Sequence, residues 1–112
     1  MQIHLYRNNK YGNRRAEYNG KFYHSKKEAD YAAELDLRKK AGDILSWTPQ
    51  HRLSLDINGH HICNYIIDFL VIDKTGEEQI HEIKGFATDL WKLKWALTEA
   101  IWGQKYKMVL IK

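Results

Sequence analysis

The sequence predicts an α/β protein, a sandwich on a mixed β-sheet, from three observations. Residues 25–41, and a second stretch running from Asp89 to Gly103, carry apolar residues at helical spacing behind N-cap signals. Between them the apolar period falls to two, and Asn58-Gly59 stands as a hairpin turn. A last apolar run, Tyr106 to Ile111, closes the chain as a strand. The expected order is helix, three or four strands, helix, strand, in a single domain over residues 1–112 with a basic arm at about 1–24.

Each element has a local cause. Residues 2–6 alternate as a short strand, and Arg7 to Arg15 reads as a polar loop. Asn19-Gly20 between Tyr18 and Lys21 takes the positive φ angles of a tight hairpin. Ser25-Lys26-Lys27-Glu28 matches a capping box and starts the first helix. Ala29, Ala32, Ala33 and Leu37 form its expected core stripe, and Gly42 ends it. Ile44 to Trp47 is a strand, Thr48-Pro49 a break, and Leu53, Leu55 and Ile57 a second strand. Ile62 to Ile72 is apolar at both parities apart from Asn64 and Asp68, which predicts a central strand covered on both faces. Residues 73–77 turn the chain into a strand from Gln79 to Lys84. Asp89 is the expected cap of the second helix, with Leu90, Leu93, Leu97, Ala100 and Ile101 on its core face.

Composition narrows the function classes. Hydrophobic residues at 44% and charged residues at 29% belong to a globular chain rather than a disordered one. No apolar run reaches the length of about 20 residues that a membrane helix needs, and the first residues lack a secretory pattern, so a soluble cytoplasmic protein is expected, without a membrane partner. Cys63 is the single cysteine, which excludes an intrachain disulfide and a thiolate zinc cluster. Residues 1–27 hold seven Lys or Arg against one acid, a charge of +6, while residues 28–112 sum to −2. A basic arm on a nearly neutral body fits a polyanion, because each cation set on a phosphate releases condensed counterions. The candidate phosphate contacts are Arg7, Lys10, Arg14, Arg15, Lys21, Lys26 and Lys27, and the expected partner is DNA.

Asp68 is the residue that asks for chemistry. It is embedded in Tyr65-Ile66-Ile67-Asp68-Phe69-Leu70-Val71, where an unpaired carboxylate would be costly. The turn at 73–77 folds it back opposite position 82 or 84, so that Asp68, Glu82 and Lys84 share one face of the sheet. Two readings follow. In one, Asp68 and Lys84 form a structural ion pair across strands. In the other, Asp68 and Glu82 supply oxygen ligands to a Mg²⁺ that keeps several waters and touches a phosphate, and Lys84 orients the attacking water or neutralises charge at phosphorus.

Asp68, thirteen intervening residues and Glu82-Ile83-Lys84 resemble the Asp…Glu-x-Lys core of the PD-(D/E)XK nuclease superfamily, with apolar strands around the acids and Gly85 after the lysine. Ile67 stands where the superfamily's name has proline. Lys10-Tyr11-Gly12-Asn13-Arg14-Arg15, Glu17-Tyr18-Asn19-Gly20, Phe22 and Ser25-Lys26-Lys27-Glu28-Ala29 resemble small phage-encoded members, and the likeness covers nearly the whole chain. It is also similar to phage Holliday junction resolving endonucleases and to the end-cleaving endonuclease subunit of bacterial transposons. The resemblance implies a restriction-endonuclease-like core, a central mixed sheet flanked by helices. It implies Mg²⁺-dependent hydrolysis of phosphodiester bonds in DNA, with Mn²⁺ able to substitute and no small-molecule cofactor. Asp68 and Glu82 would be metal ligands, Lys84 the charge-stabilising residue, Glu28 a further acid at the metal and Gln50 a contributor of second rank. A phage-encoded enzyme of this kind would act in the bacterial host cytoplasm. Junction, flap, nick and specific-site cutting are all compatible with it, and a homodimer is expected because two strands require two sites. A noncatalytic DNA-binding module on the same fold is the alternative, and a virion or assembly protein a third class.

Other residues have plainer roles. His60-His61 near Cys63 are expected in a turn rather than at zinc, since adjacent strand residues face opposite ways. His81 belongs to packing, and Trp47 and Trp102 to the core. For Trp91 and Trp95, at i and i+4, core packing, a dimer contact and base stacking stay open.

Overall fold

The computed structural model describes residues 15–112, and the chain divides into two compact units at Ala41/Gly42. The strand expected at residues 2–6 and most of the loop after it lie outside the described residues.

In the first unit, β1 (Ala16–Tyr18) and β2 (Lys21–Tyr23) form an antiparallel hairpin. Asn19 and Gly20 turn it at φ 52° and 83°, the doubly positive geometry that a two-residue turn needs to match strand twist. Helix α1 (Lys26–Lys40) begins where Ser25 Oγ accepts the Glu28 N–H at 3.1 Å, and Arg38, Lys39 and Lys40 occupy its negative end. Tyr18 donates to Asp36 across the hairpin and helix. The buried face of α1 runs through Glu28, Ala29, Tyr31, Ala32 and Leu35. Leu37, expected in the core, is 65% exposed: two residues past Leu35 at about 100° each, it points the opposite way.

The second unit is the mixed sheet and one helix. Strands β3 (Ile44–Ile57), β4 (His60–Asp73), β5 (Glu78–Ile83) and β6 (Lys107–Ile111) lie in that order, the first two pairings antiparallel and β5–β6 parallel. Asn58-Gly59 makes the β3–β4 hairpin. The β4–β5 turn is built on Asp73, whose Oδ1 accepts from the N–H groups of Thr75 and Glu77 and from the Thr75 hydroxyl. β6 is reached through α2 (Asp89–Trp102), as a parallel pairing requires.

The structure departs from the sequence pattern at four further points. Pro49 does not break the chain into two strands, because β3 is an edge strand that tolerates a missing N–H; the disturbance is confined to Gln50, at φ 52°. β4 is not covered on both faces, since Tyr65, Ile67, Phe69 and Val71 are buried while Ile66 is 52% exposed. The cap of α2 is Thr88, whose hydroxyl accepts the Trp91 N–H at 3.1 Å, and Asp89 is the first helical residue. The buried face of α2 also differs from the expected one. Leu90 and Leu93 face solvent, and Trp91, Trp95, Leu97, Ile101 and Trp102 pack on a core of Leu53, Leu55, Tyr65, Ile67, Ile80 and Tyr106. Trp91 and Trp95 are thus packing residues, stacked at 5.4 Å, and Trp102 anchors α2 to β3 by donating to the Ser54 carbonyl at 3.0 Å.

Candidate active site

The β4–β5 register pairs Phe69 with His81, so one step further Asp68 faces Glu82. On the other side of β4, Pro49 and His51 pair with Phe69 and Ile67, which sets Gln50 beside Asp68. Gln50, Asp68 and Glu82 therefore form one row across three strands. Gln50 holds its place at φ 52°, a left-handed conformation that costs a non-glycine residue about 1 kcal/mol and recurs at functional sites.

Beyond Phe69 and His81, side chains take over the joining of β4 to β5. The Asp68 N–H donates to Glu82 Oε1 at 3.0 Å, and the Ile83 N–H donates to Asp68 Oδ2 at 2.8 Å. Each carboxylate thus accepts a backbone N–H from the other's strand. The effect is to fix two like-charged groups side by side at the end of the paired region. β5 meanwhile stays tied to β6, with the Lys84 N–H donating to the Ile111 carbonyl at 2.9 Å.

Glu82 is 4% exposed and held further. Its Oε2 accepts from the Tyr65 hydroxyl at 2.6 Å and from Trp91 Nε1 at 3.0 Å. Burial, then the bond to Glu82, pushes the Tyr65 phenol well above its ordinary range, so it remains a donor. Trp91 also carries the third polar residue: Lys84 Nζ lies over its ring, 5.2 Å from the centroid. Sequence reasoning did not assign Tyr65 and left Trp91 open. Trp91 lies nine residues past the glutamate on the helix leaving β5, and a Trp whose ring can bury while its N–H seeks an acceptor was the available signal.

Residues 8–111 match the model of a family described as a protein of unknown function, DUF1064. The chain belongs to that family. No curated protein and no solved structure matches it.

In this DUF1064 protein the sheet unit brings together Asp68, Glu82 and Lys84, with Gln50 on the same row. Glu28, the third expected carboxylate, stands in the first unit, buried on the first turn of α1 with His24 Nδ1 at 3.8 Å. Among the described residues, no three His, Cys, Asp or Glu side chains gather into a group that would hold a metal. The adjacent pair Asp68 and Glu82 offers hard oxygen donors, which is the chemistry of an ion that takes one or two carboxylates and fills its shell with water and phosphate rather than one caged by protein. His61 instead shares Asp56 and Ser54, at 2.7 and 2.9 Å from its Nδ1, and His81 Nε2 meets Gln79 Oε1 at 2.8 Å.

Of the expected phosphate contacts, Arg7, Lys10 and Arg14 lie outside the described residues. Arg15 is exposed with its guanidinium 5.2 Å from the centre of the Phe22 ring. Lys21 and Lys27 are exposed, and Lys26 pairs with Asp30 at 2.9 Å on the surface of α1, an i,i+4 pair of about 0.3–0.5 kcal/mol that a phosphate can displace. No helix among the described residues is long and apolar enough to cross a membrane.

Proposed function

We propose that this protein is a metal-dependent DNA endonuclease that hydrolyses phosphodiester bonds, working as a homodimer in the cytoplasm. One observation carries the reading: Asp68 and Glu82 are locked side by side through each other's strand, with Lys84 two residues on. A fold gains little from clamping two carboxylates together, since like charges repel, whereas a site that must grip a cation gains a rigid pair of oxygen ligands.

Asp68 and Glu82 would hold Mg²⁺ or Mn²⁺. When bound, such an ion would supply Lewis acidity, lowering the pKa of a bound water and drawing charge from the phosphoryl oxygens. Tyr65, Trp91 and the Asp68 N–H keep Glu82 in one orientation, so it does not reorganise as the reaction proceeds. Lys84 places an ammonium where charge develops on the phosphate. Gln50, in the row beside Asp68, offers an amide for a water or a phosphate oxygen, and the basic residues from Arg7 to Lys27 hold the backbone of the strand.

The test is incubation of the full chain with linear, flapped and four-way DNA, in Mg²⁺ and in EDTA. Cutting of at least one substrate in Mg²⁺ alone is expected. Binding without cutting across the panel would instead favour a noncatalytic DNA-binding module.

A further inference from the structure

We infer that the cleft beside Glu82 is a subsite for one unpaired nucleotide of the DNA strand, an inference that rests on the nuclease reading. The cleft measures about 350 Å³, near the lower end of ligand pockets. It shares two walls with the candidate site, because Tyr65 and Trp91, which hold Glu82 Oε2, also line it. A group bound there lies one side chain away from the carboxylate.

Its chemistry fits a nucleotide. Ile66 and Leu90 add apolar wall that faces solvent, the kind of surface a flat base covers. The Asn64 amide sets a donor beside an acceptor, complementary to the edge of a base. Lys94 brings a cation for the adjoining phosphate, and among the described residues no acid lines the cleft. A base inside a duplex has its faces stacked and its edge paired, so only an unpaired one can present both to such a pocket. The subsite therefore favours DNA with unpaired nucleotides over continuous duplex.

The experiment compares two DNAs of equal length and charge, one fully paired and one with a short mismatched bubble. The full chain is titrated with each in EDTA. Wild type is expected to bind the bubble about tenfold more tightly, the scale of one stacked base. Leu90→Glu sets an acid in the cleft at an exposed first-turn position that α2 tolerates, and Lys94→Ala removes the cation; each is expected to cut that preference to about twofold or less. Equal affinity for both DNAs, binding to neither, or a preference that survives both substitutions overturns the subsite. Parallel assays in Mg²⁺ separate the two ideas. Cutting without a bubble preference overturns the subsite and leaves the nuclease, while a bubble preference without cutting overturns the nuclease and leaves a nucleotide-binding cleft.

Discussion

Glu82 accepts three hydrogen bonds and all three partners are donors, a balance that a carboxylate meets and an amide does not. In Glu82→Gln the amide oxygen can serve Tyr65 and Trp91 or the Asp68 N–H, leaving its NH₂ against the remaining donor. We expect a loss of about 1–3 kcal/mol in urea unfolding, the cost of a buried unsatisfied group. Tyr65 keeps its proton to higher pH than an exposed tyrosine does, because burial and then the bond to Glu82 raise its pKa. Its folded pKa is raised, so its contribution to stability is complete below about pH 10, the unfolded value, and fades as pH rises through the folded one. Tyr65→Phe should therefore be less stable than wild type at neutral pH, with the gap narrowing in strong alkali. At Gln50 the backbone and side chain separate cleanly. Gln50→Gly relieves the left-handed φ and should hold or raise the melting temperature, yet slow cutting if the amide works in the site. This row was half legible in the sequence. The two-residue period and the turn at 73–77 narrowed the partner of Asp68 to position 82 or 84, and the observed register settles it at Glu82. The left-handed Gln50 was not legible, because Gln has no preference for positive φ.

At the scale of the elements, ends and stripes are each legible in part: the cap of α2 falls one residue before Asp89, at Thr88. Ser25 caps α1 through the Glu28 N–H, and the buried stripe was legible at Ala29 and Ala32, whereas Leu37 is apolar yet faces solvent and Tyr31 and Leu35 take the core. In α2 the bulk of Trp91, Trp95, Leu97, Ile101 and Trp102 decides the buried face over Leu90 and Leu93. Glu28 serves the Ser25 cap through its backbone N–H whatever its side chain, so Glu28→Gln should melt within a few degrees of wild type. The β4–β5 turn that sets the register should be acid-sensitive. The Thr75 hydroxyl, followed by backbone N–H groups, holds the Asp73 carboxyl below the usual aspartate range. A lowered folded pKa stabilises above the unfolded value of about 3.9 and is lost as pH falls through the folded one. The stability gap between wild type and Asp73→Ala should thus be full at neutral pH and shrink below about pH 4.

At the scale of the whole molecule, charge and fold class were the most legible features, since period and turn chemistry are local and net charge is a sum. The excess of +6 within residues 1–27 predicts salt-sensitive binding. Neutralising Arg7, Lys10, Arg14 and Arg15 should weaken affinity for unrelated DNA sequences and flatten the slope of log K against log salt by at most about 3.6, at about 0.9 per phosphate contact. The catalytic claim itself is tested best at Asp68. An Asn there keeps a carbonyl oxygen for the Ile83 N–H, so the clamp survives and only the charge is lost. The deciding measurement is the rate of Mg²⁺-dependent DNA cleavage by Asp68→Asn beside its DNA affinity in EDTA. Affinity near that of wild type is expected, with cleavage lowered by at least about two orders of magnitude; cutting at the wild-type rate would overturn Asp68 as a metal ligand.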